Sequence, residues 1–267
     1  MFNKTKITWA EKTWNVAVGC DQVTPECDHC YAMLDANRRF GSDRFPMYEG
    51  VLNKDPHNTG GPIKAKTGKH YQWSGRVNVN FNKIKEISKL PTNAVVFLNS
   101  MSDTFHAQIP DEFLIALFKA MNARPDVVFQ VLTKRTARMA RLTQKLGLEW
   151  TDNIWAGTTV GCKESLYRLD WLSKVPAKKR FVSAEPLLHE MDYRKWLADG
   201  TINWLIVGGE SKSGWRPMSL NWVRTIRDDC KEFGVPFFFK QEAGYAPKKH
   251  PELDGVIHEE YPPMPWD

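Results

Sequence analysis

Six short apolar runs punctuate the chain after residue 90, at 94–98, 127–132, 154–156, 180–182, 204–207 and 235–239. Each is rich in β-branched and aromatic residues, and near-continuous hydrophobicity over such lengths predicts strands buried on both faces. A weaker candidate strand lies earlier, at 15–18. Amphipathic stretches at helical spacing fill the intervals. The clearest is 111–122, where Pro110 and the acidic Asp111–Glu112 pair suit a helix N-terminus. Helices are also expected at 136–146 and 221–233, ended by Gly147 and Gly234, and at 164–175. Strand starts recur every 24–33 residues, the rhythm of βα units, so the fold class is α/β with a parallel sheet, a partial or complete βα barrel.

Two segments interrupt this rhythm. Residues 41–82 are rich in Gly, Pro and Asn and read as a loop-rich insertion within one barrel-like domain spanning 1–245. Residues 246–267, with Pro247, Pro251, Pro262, Pro263 and Pro265, read as an extended tail over the surface. No second domain is expected.

The chain has 267 residues, 42% hydrophobic and 25% charged, which excludes a disordered or fibrous chain. No apolar run approaches the ~18 residues of a membrane span. Residues 1–14 are polar and carry no secretory signal, so a cytoplasmic location is expected. Thirty-seven Lys and Arg against 31 Asp and Glu leave a net charge of +6. That surplus is compatible with a nucleic-acid partner without requiring one. Between Pro56 and Lys85 there is no acidic residue, while Lys64, Lys66, Lys69, Arg76, Lys83 and Lys85 are basic and Tyr71, Trp73 and Phe81 are interleaved. The segment 64–85 is therefore a candidate track for a polynucleotide backbone, or else a solvated loop. The 11 Trp read as filling for a large core.

The sharpest chemistry lies in the cysteines. Five are present, and Cys20, Cys27 and Cys30 follow one another as C-x6-C-x2-C just after the first candidate strand. Three thiols placed by one short loop can hold three irons of a [4Fe–4S] cube and leave the fourth open. Zinc is the alternative metal and normally needs a fourth protein ligand, for which His29, His57 and His70 are the candidates. A Cys27–Cys30 redox dithiol would leave Cys20 without a role. Cys230 reads as a small core residue, and Cys162 as a reserve metal ligand.

The run Trp14-Asn15, Gly19-Cys20, Cys27-x2-Cys30-Tyr31-Ala32 resembles the cluster loop of radical S-adenosylmethionine proteins, particularly the spore-photoproduct-lyase-like branch. The usual loop has three residues in its first gap and this one has six. Over 7–245 the chain also resembles a family of phage and prophage three-cysteine-motif proteins, through Asn99-Ser100-Met101-Ser102-Asp103-Thr104-Phe105-His106, Thr133-Lys134-Arg135, Ser183-Ala184-Glu185-Pro186, Gly208-Gly209-Glu210-Ser211 and Lys240-Gln241. The resemblance implies an iron–sulfur enzyme that cleaves S-adenosylmethionine and acts on a nucleotide or nucleic acid, in modification or repair. It leaves room for a partner protein encoded nearby. The other function class is a non-catalytic, zinc- or cluster-stabilised nucleic-acid-binding protein.

Each quoted polar cluster directly follows an apolar run. In a parallel βα sheet the carboxyl ends of the strands share one face, so the clusters and the cysteine loop are expected to meet there. If S-adenosylmethionine binds, Glu185 or Glu210 would accept from its ammonium and Lys134 or Arg135 would pair with its carboxylate. Gly208-Gly209, with Ser211 beside them, would allow close backbone approach of a nucleoside. Asp103 and His106 are candidates for proton transfer or substrate contact, and Lys240 either points into a pocket or meets an acid.

Overall fold

The structure is a computed structural model that describes residues 3–5, 7–55, 70–212 and 214–267. Seven parallel strands form its centre: β1 (Lys12–Trp14), β2 (Val95–Leu98), β3 (Val128–Thr133), β4 (Ile154–Thr159), β5 (Arg180–Ala184), β6 (Trp204–Gly208) and β7 (Phe237–Gln241). They pair in chain order. The sheet curls into an open partial barrel, β7 having no partner strand across the gap in β1. A short antiparallel strand, Asn3–Lys4, flanks β1.

Helices return the chain between strands: α1 (Tyr31–Asn37), α2 (Asp111–Asn122), α3 (Thr136–Leu146), α4 (Tyr167–Leu172), α5 (Arg194–Ala198) and α6 (Leu220–Glu232). The expected helix at 164–175 is instead a 3-10 turn, Lys163–Ser165, followed by α4. Gly147 and Gly234 adopt the left-handed conformation that ends their helices. Cys230 lies on the buried face of α6, in the core.

The first strand sits three residues earlier than its apolar run predicts. Lys12–Trp14 enters the sheet, whereas Ala17–Val18 leaves it and pairs with Asn78–Val79. Two asparagines hold this exit against that of β2. The Asn99 carboxamide oxygen accepts from the Val16 and Ala17 amides at 3.0 and 3.1 Å. The Asn15 oxygen accepts from Ser100 Oγ and the Met101 amide, both at 3.1 Å.

Alternation along the strands divides the core in two. One face packs on the helices through residues such as Val96, Phe129, Ile154, Val182 and Phe239. The other carries no helix and is filled by Trp9, Phe97, Trp155, Phe181, Trp204 and Phe238. Towards the carboxyl ends this second face turns polar, with Thr159 after Trp155, Ser183 and Glu185 after Phe181, and Lys240 after Phe238. The aromatic layer therefore floors a polar cleft.

Within 41–82 the described residues include a hairpin, Leu52–Asp55 with His70–Trp73; residues 56–69, with His57, Lys64, Lys66 and Lys69, lie outside the described residues. The tail does more than strap the surface. It forms a small hairpin, Glu252–Leu253 with Val256–Ile257, then runs antiparallel to β7. The Phe239 amide donates to the His258 carbonyl at 2.8 Å and the Glu260 amide to Phe237 at 3.1 Å. This covers the free edge of the sheet, which would otherwise present unpaired backbone groups. No helix among the described residues is long and apolar enough to cross a membrane.

Candidate functional site

A cleft of about 890 Å³, its solvent-open mouth included, lies at the carboxyl ends of β2–β5 and β7. Trp9, Phe97 and Leu132 form its apolar floor; Cys20, Cys27 and Cys30 line it together with Lys134, Arg135, Glu185 and Lys240. The three thiols and five separate strand ends therefore meet, as the topology requires.

The cysteine loop is held from both ends. At its start Gly19 sits at φ +104°, and a Cβ there would lie 2.1 Å from the Arg76 carbonyl oxygen, so only glycine fits. The Gly19 amide donates to Met101 at 3.0 Å, and Ser102 Oγ donates to the Gly19 carbonyl at 2.7 Å. Cys20 is thereby fixed beside β2. Arg135 reaches it from the end of β3, with Nη1 3.7 Å from Cys20 Sγ and 2.9 Å from Asp103 Oδ2, while Nη2 donates to the Asp21 carboxylate.

Asp103 is buried, and both its oxygens are engaged. Oδ1 accepts from the Phe105 amide at 2.9 Å and Thr133 Oγ1 at 2.6 Å; Oδ2 accepts from the Lys134 amide at 3.0 Å and from Arg135. The structure thus places Asp103 as the organiser of the β2 and β3 exits. His106 accepts from the Gln108 amide at Nδ1 (3.2 Å), which leaves Nε2 protonated to donate to Asp21 Oδ1 at 2.7 Å. Burial lowers its pKa, against the raising influence of Asp103, so the imidazole is held neutral.

The six-residue gap before Cys27 has a structural use. Its Thr24 and Glu26 insert into the scaffold against Arg168 of α4, where both charged side chains are fully buried. Arg168 Nη1 lies 3.5 Å from Glu26 Oε1 and donates to the Thr159 carbonyl at 2.7 Å, while Nη2 donates to Thr24 Oγ1 at 2.8 Å. The Gly161 amide adds a bond to Glu26 Oε1 at 3.2 Å. Burial raises the Glu26 pKa, but the Arg168 guanidinium, hydrogen bonds from Thr24 and Ser165 and the charge of Lys134 together outweigh it and the net shift is downward.

A second clamp comes from the segment after β6. Glu210, buried, accepts from the Arg216 amide at 2.7 Å and Arg216 Nε at 3.1 Å, and its Oε2 lies 2.9 Å from His29 Nδ1. Arg216 continues to the loop backbone, donating to the Pro25 carbonyl at 2.7 Å and to Asp28 at 3.1 Å. His29 thus turns away from the thiols. Burial raises the Glu210 pKa, yet its bonds to Arg216 and His29 bring it below its ordinary value of 4.5. A lowered carboxylate pKa means that the clamp is complete above about pH 4.5 and is lost as pH falls through the folded value. At pH 7, Glu210→Gln is expected to raise backbone hydrogen exchange in 21–30 about tenfold or more, from the ~1.5–3 kcal/mol of a charged hydrogen bond. The difference from wild type should close only as the pH falls below the folded Glu210 value, which itself lies under 4.5. Equal exchange at pH 7 would show that the clamp does not restrain the loop.

Among the described residues, no three His, Cys, Asp or Glu side chains converge closely enough to enclose one metal ion. The four-ligand set that zinc needs is accordingly not assembled among the described residues, which leave out His57 and the His70 side chain. A [4Fe–4S] cube makes a different demand, because each of three iron corners takes one thiolate, and three thiols facing a common space meet it. The local charges suit an anionic group. Burial pushes the Cys20 thiol up to about 12, against the lowering influence of Arg135, and raises Cys30, against that of Lys134. Burial depresses the Lys134 ammonium, but Cys27, Cys30 and Glu26 outweigh it and hold it above its ordinary value. The Lys134 ammonium has no hydrogen-bond or ion-pair partner among the described residues.

On the opposite wall Glu185 accepts from Trp9 Nε1 at 2.8 Å and Ser183 Oγ at 3.2 Å and pairs with Lys240. Lys240 thus both lines the cleft and meets an acid. Gly208, Gly209, Glu210 and Ser211 do not line the cleft. A Cβ on Gly209 would lie 2.3 Å from the Ala243 nitrogen, so this glycine serves close packing against the segment after β7, and Ser211 bridges Gly244. Of the basic stretch, Lys83 Nζ donates to the Asn15 carbonyl at 3.3 Å and Arg76 Nε to Asn78 at 3.1 Å. Cys162 is buried away from the cleft lining, 3.6 Å from Ser165 Oγ. Arg168 and Arg216 escaped the sequence reading, since nothing near them in the chain marks partners on the cysteine loop.

The model of a family described as "Protein of unknown function (DUF5131)" matches residues 4–262. No curated protein matches. Similar solved structures include spore photoproduct lyase complexed with dinucleoside spore photoproduct, at 14% identity and TM-score 0.46. A double mutant of the same enzyme with bound AdoMet and dinucleoside spore photoproduct matches at 14% identity and TM-score 0.44. Each alignment covers 87% of this chain, which spans 64% of the length of those structures.

Proposed function

We propose that this chain, which belongs to the DUF5131 family of proteins of unknown function, is a radical S-adenosylmethionine-type enzyme acting on a nucleotide or nucleic acid. The observation that carries the reading is the cleft itself, in which three thiols from one loop face Lys134, Arg135 and the Glu185–Lys240 pair over an aromatic floor. When bound, a cluster on Cys20, Cys27 and Cys30 would supply one electron for reductive cleavage of the sulfonium. The remaining roles belong to the chain. Lys134 offers an uncommitted cation to the carboxylate of the cofactor, and Arg135 holds Cys20 in place. Glu185 presents a fixed carboxylate to the ammonium, and the Trp9, Phe97 and Leu132 floor excludes water from the reacting groups. The phage and prophage resemblance supports a nucleic-acid substrate.

The test is anaerobic purification and reconstitution, followed by iron, sulfide and zinc analysis and electron paramagnetic resonance after dithionite reduction. About four irons per chain, with a signal that changes on adding S-adenosylmethionine, is the expected result. Replacing any one of the three cysteines by alanine should abolish it. Stoichiometric zinc that persists through reconstitution would overturn the enzyme and favour a metal-stabilised binding protein.

A further inference from the structure

Beyond the clamp on the cysteine loop, the segments leaving β6 and β7 run side by side. Ser211 bridges Gly244, the Gly244 amide donates to the Glu210 carbonyl at 2.9 Å, and the Lys212 amide donates to the Tyr245 carbonyl at 3.1 Å. The two segments together carry two exposed aromatic side chains, Trp215 at 43% and Tyr245 at 63%. Core demand does not explain them, because rings of this size are normally covered. The same two segments carry Lys212, Lys248 and Lys249, all exposed and without an ion-pair partner among the described residues. Glu242 is the one acidic residue from 241 to 250. The rim borders the site: Gly214 lies against the His29 ring, within 3.6 Å of where its Cβ would stand, and Lys240 of the same exit lines the cleft.

We infer that this rim is a docking strip for single-stranded nucleic acid, and the inference rests on the nucleic-acid reading of the cleft. Flat, exposed rings accept unstacked bases irrespective of sequence, and lysines free of carboxylates accept the phosphates between them. An acidic protein would use the lysines but leave the rings without purpose. A duplex keeps its bases stacked and offers the rings nothing. The strip is separate from the basic stretch 64–85, where Arg76 and Lys83 are engaged with the protein itself and Lys85 is exposed.

The experiment is fluorescence anisotropy of a labelled 20-nucleotide oligothymidylate with the full reconstituted chain, titrated between about 50 and 300 mM salt. The combined Lys212→Glu, Lys248→Glu and Lys249→Glu variant should weaken binding at least 30-fold at 100 mM salt. Its slope of log affinity against log salt should fall by about 2, from ~0.7 per phosphate released. Trp215→Ala with Tyr245→Ala should weaken binding about 10-fold or more with the slope unchanged. Iron content and unfolding midpoint, measured on each variant, should match wild type. Binding unaltered in both variants would overturn the strip, as would a wild-type chain that ignores the oligonucleotide. A duplex of equal length binding as tightly, or polyglutamate competing as well as the oligonucleotide, would overturn the single-stranded assignment. An iron-free chain that still binds through these residues would sink the cluster and leave the strip standing; a loaded chain without such binding would do the reverse.

Discussion

Replacing Arg168 with alanine is expected to destabilise the fold by about 3–5 kcal/mol, because it strands the Glu26 carboxylate in a fully buried position. The effect is large for two reasons. Neither side chain reaches solvent, so water cannot take over from the lost partner. The same guanidinium also satisfies the Thr159 carbonyl and Thr24, and both lose their donor. Urea denaturation should register the loss directly, and the unfolding temperature should fall by roughly 8–15 °C. The companion variant Glu26→Gln with Arg168→Met separates charge from packing. Removing both ions relieves the desolvation that the pair carries, so stability should recover most of the way towards wild type. Arg168→Ala within 1 kcal/mol of wild type would show that the pair does not anchor the loop.

Trp204→Ala is expected to cost a similar ~3–5 kcal/mol through the cavity it opens. Trp204 is the hub of the aromatic layer, with ring centroids 5.9 Å from Trp155, 5.7 Å from Phe181, 6.3 Å from Trp9 and 5.2 Å from Tyr261. Its indole N–H donates to the Glu260 carbonyl at 2.8 Å, joining the tail to the floor. The damage should reach the site as well. Trp9, which rests on Trp204, holds Glu185 by its own indole N–H, so the orientation of that carboxylate depends on the layer below. Trp204→Phe keeps most of the volume and should cost less than half as much. Equal losses for the two variants would point to the Glu260 bond rather than to packing.

Strand order and the meeting of polar clusters were legible because they follow from local patterns multiplied by one topological rule. Runs such as 127–132 and 204–207 are short, rich in β-branched residues and each followed by an amphipathic stretch of 11–13 residues, which marks them as buried strands, and parallel strands then gather their ends. β1 was misplaced for an equally local reason: Lys12 and Thr13 carry no apolar signal, while Val16–Val18 is buried by the asparagine cross-links and the short pairing with Asn78–Val79, outside the main sheet. The roles expected of the glycine pair and of Glu210 follow from their residue types at a strand end, which carry no information about packing. Gly209 is small because the backbone at Ala243 runs against it, and Glu210 faces His29, not the cleft. Arg168 and Arg216 were invisible because their partners lie 142 and 191 residues away in sequence. No window-based pattern spans such a distance.

Those separations also set an order of events during synthesis. The cysteine loop leaves the ribosome before the segments that grip it, because each of these grips comes from later in the chain. Arg135 is 115 residues from Cys20, Arg168 is 142 from Glu26, and Arg216 is 191 from Pro25. A nascent chain thus carries three thiols that nothing yet orients, and the loop acquires its shape only when the β6 segment has emerged. Under the proposed reading, capture of a cluster by the three thiols would follow completion of the sheet and would not nucleate it.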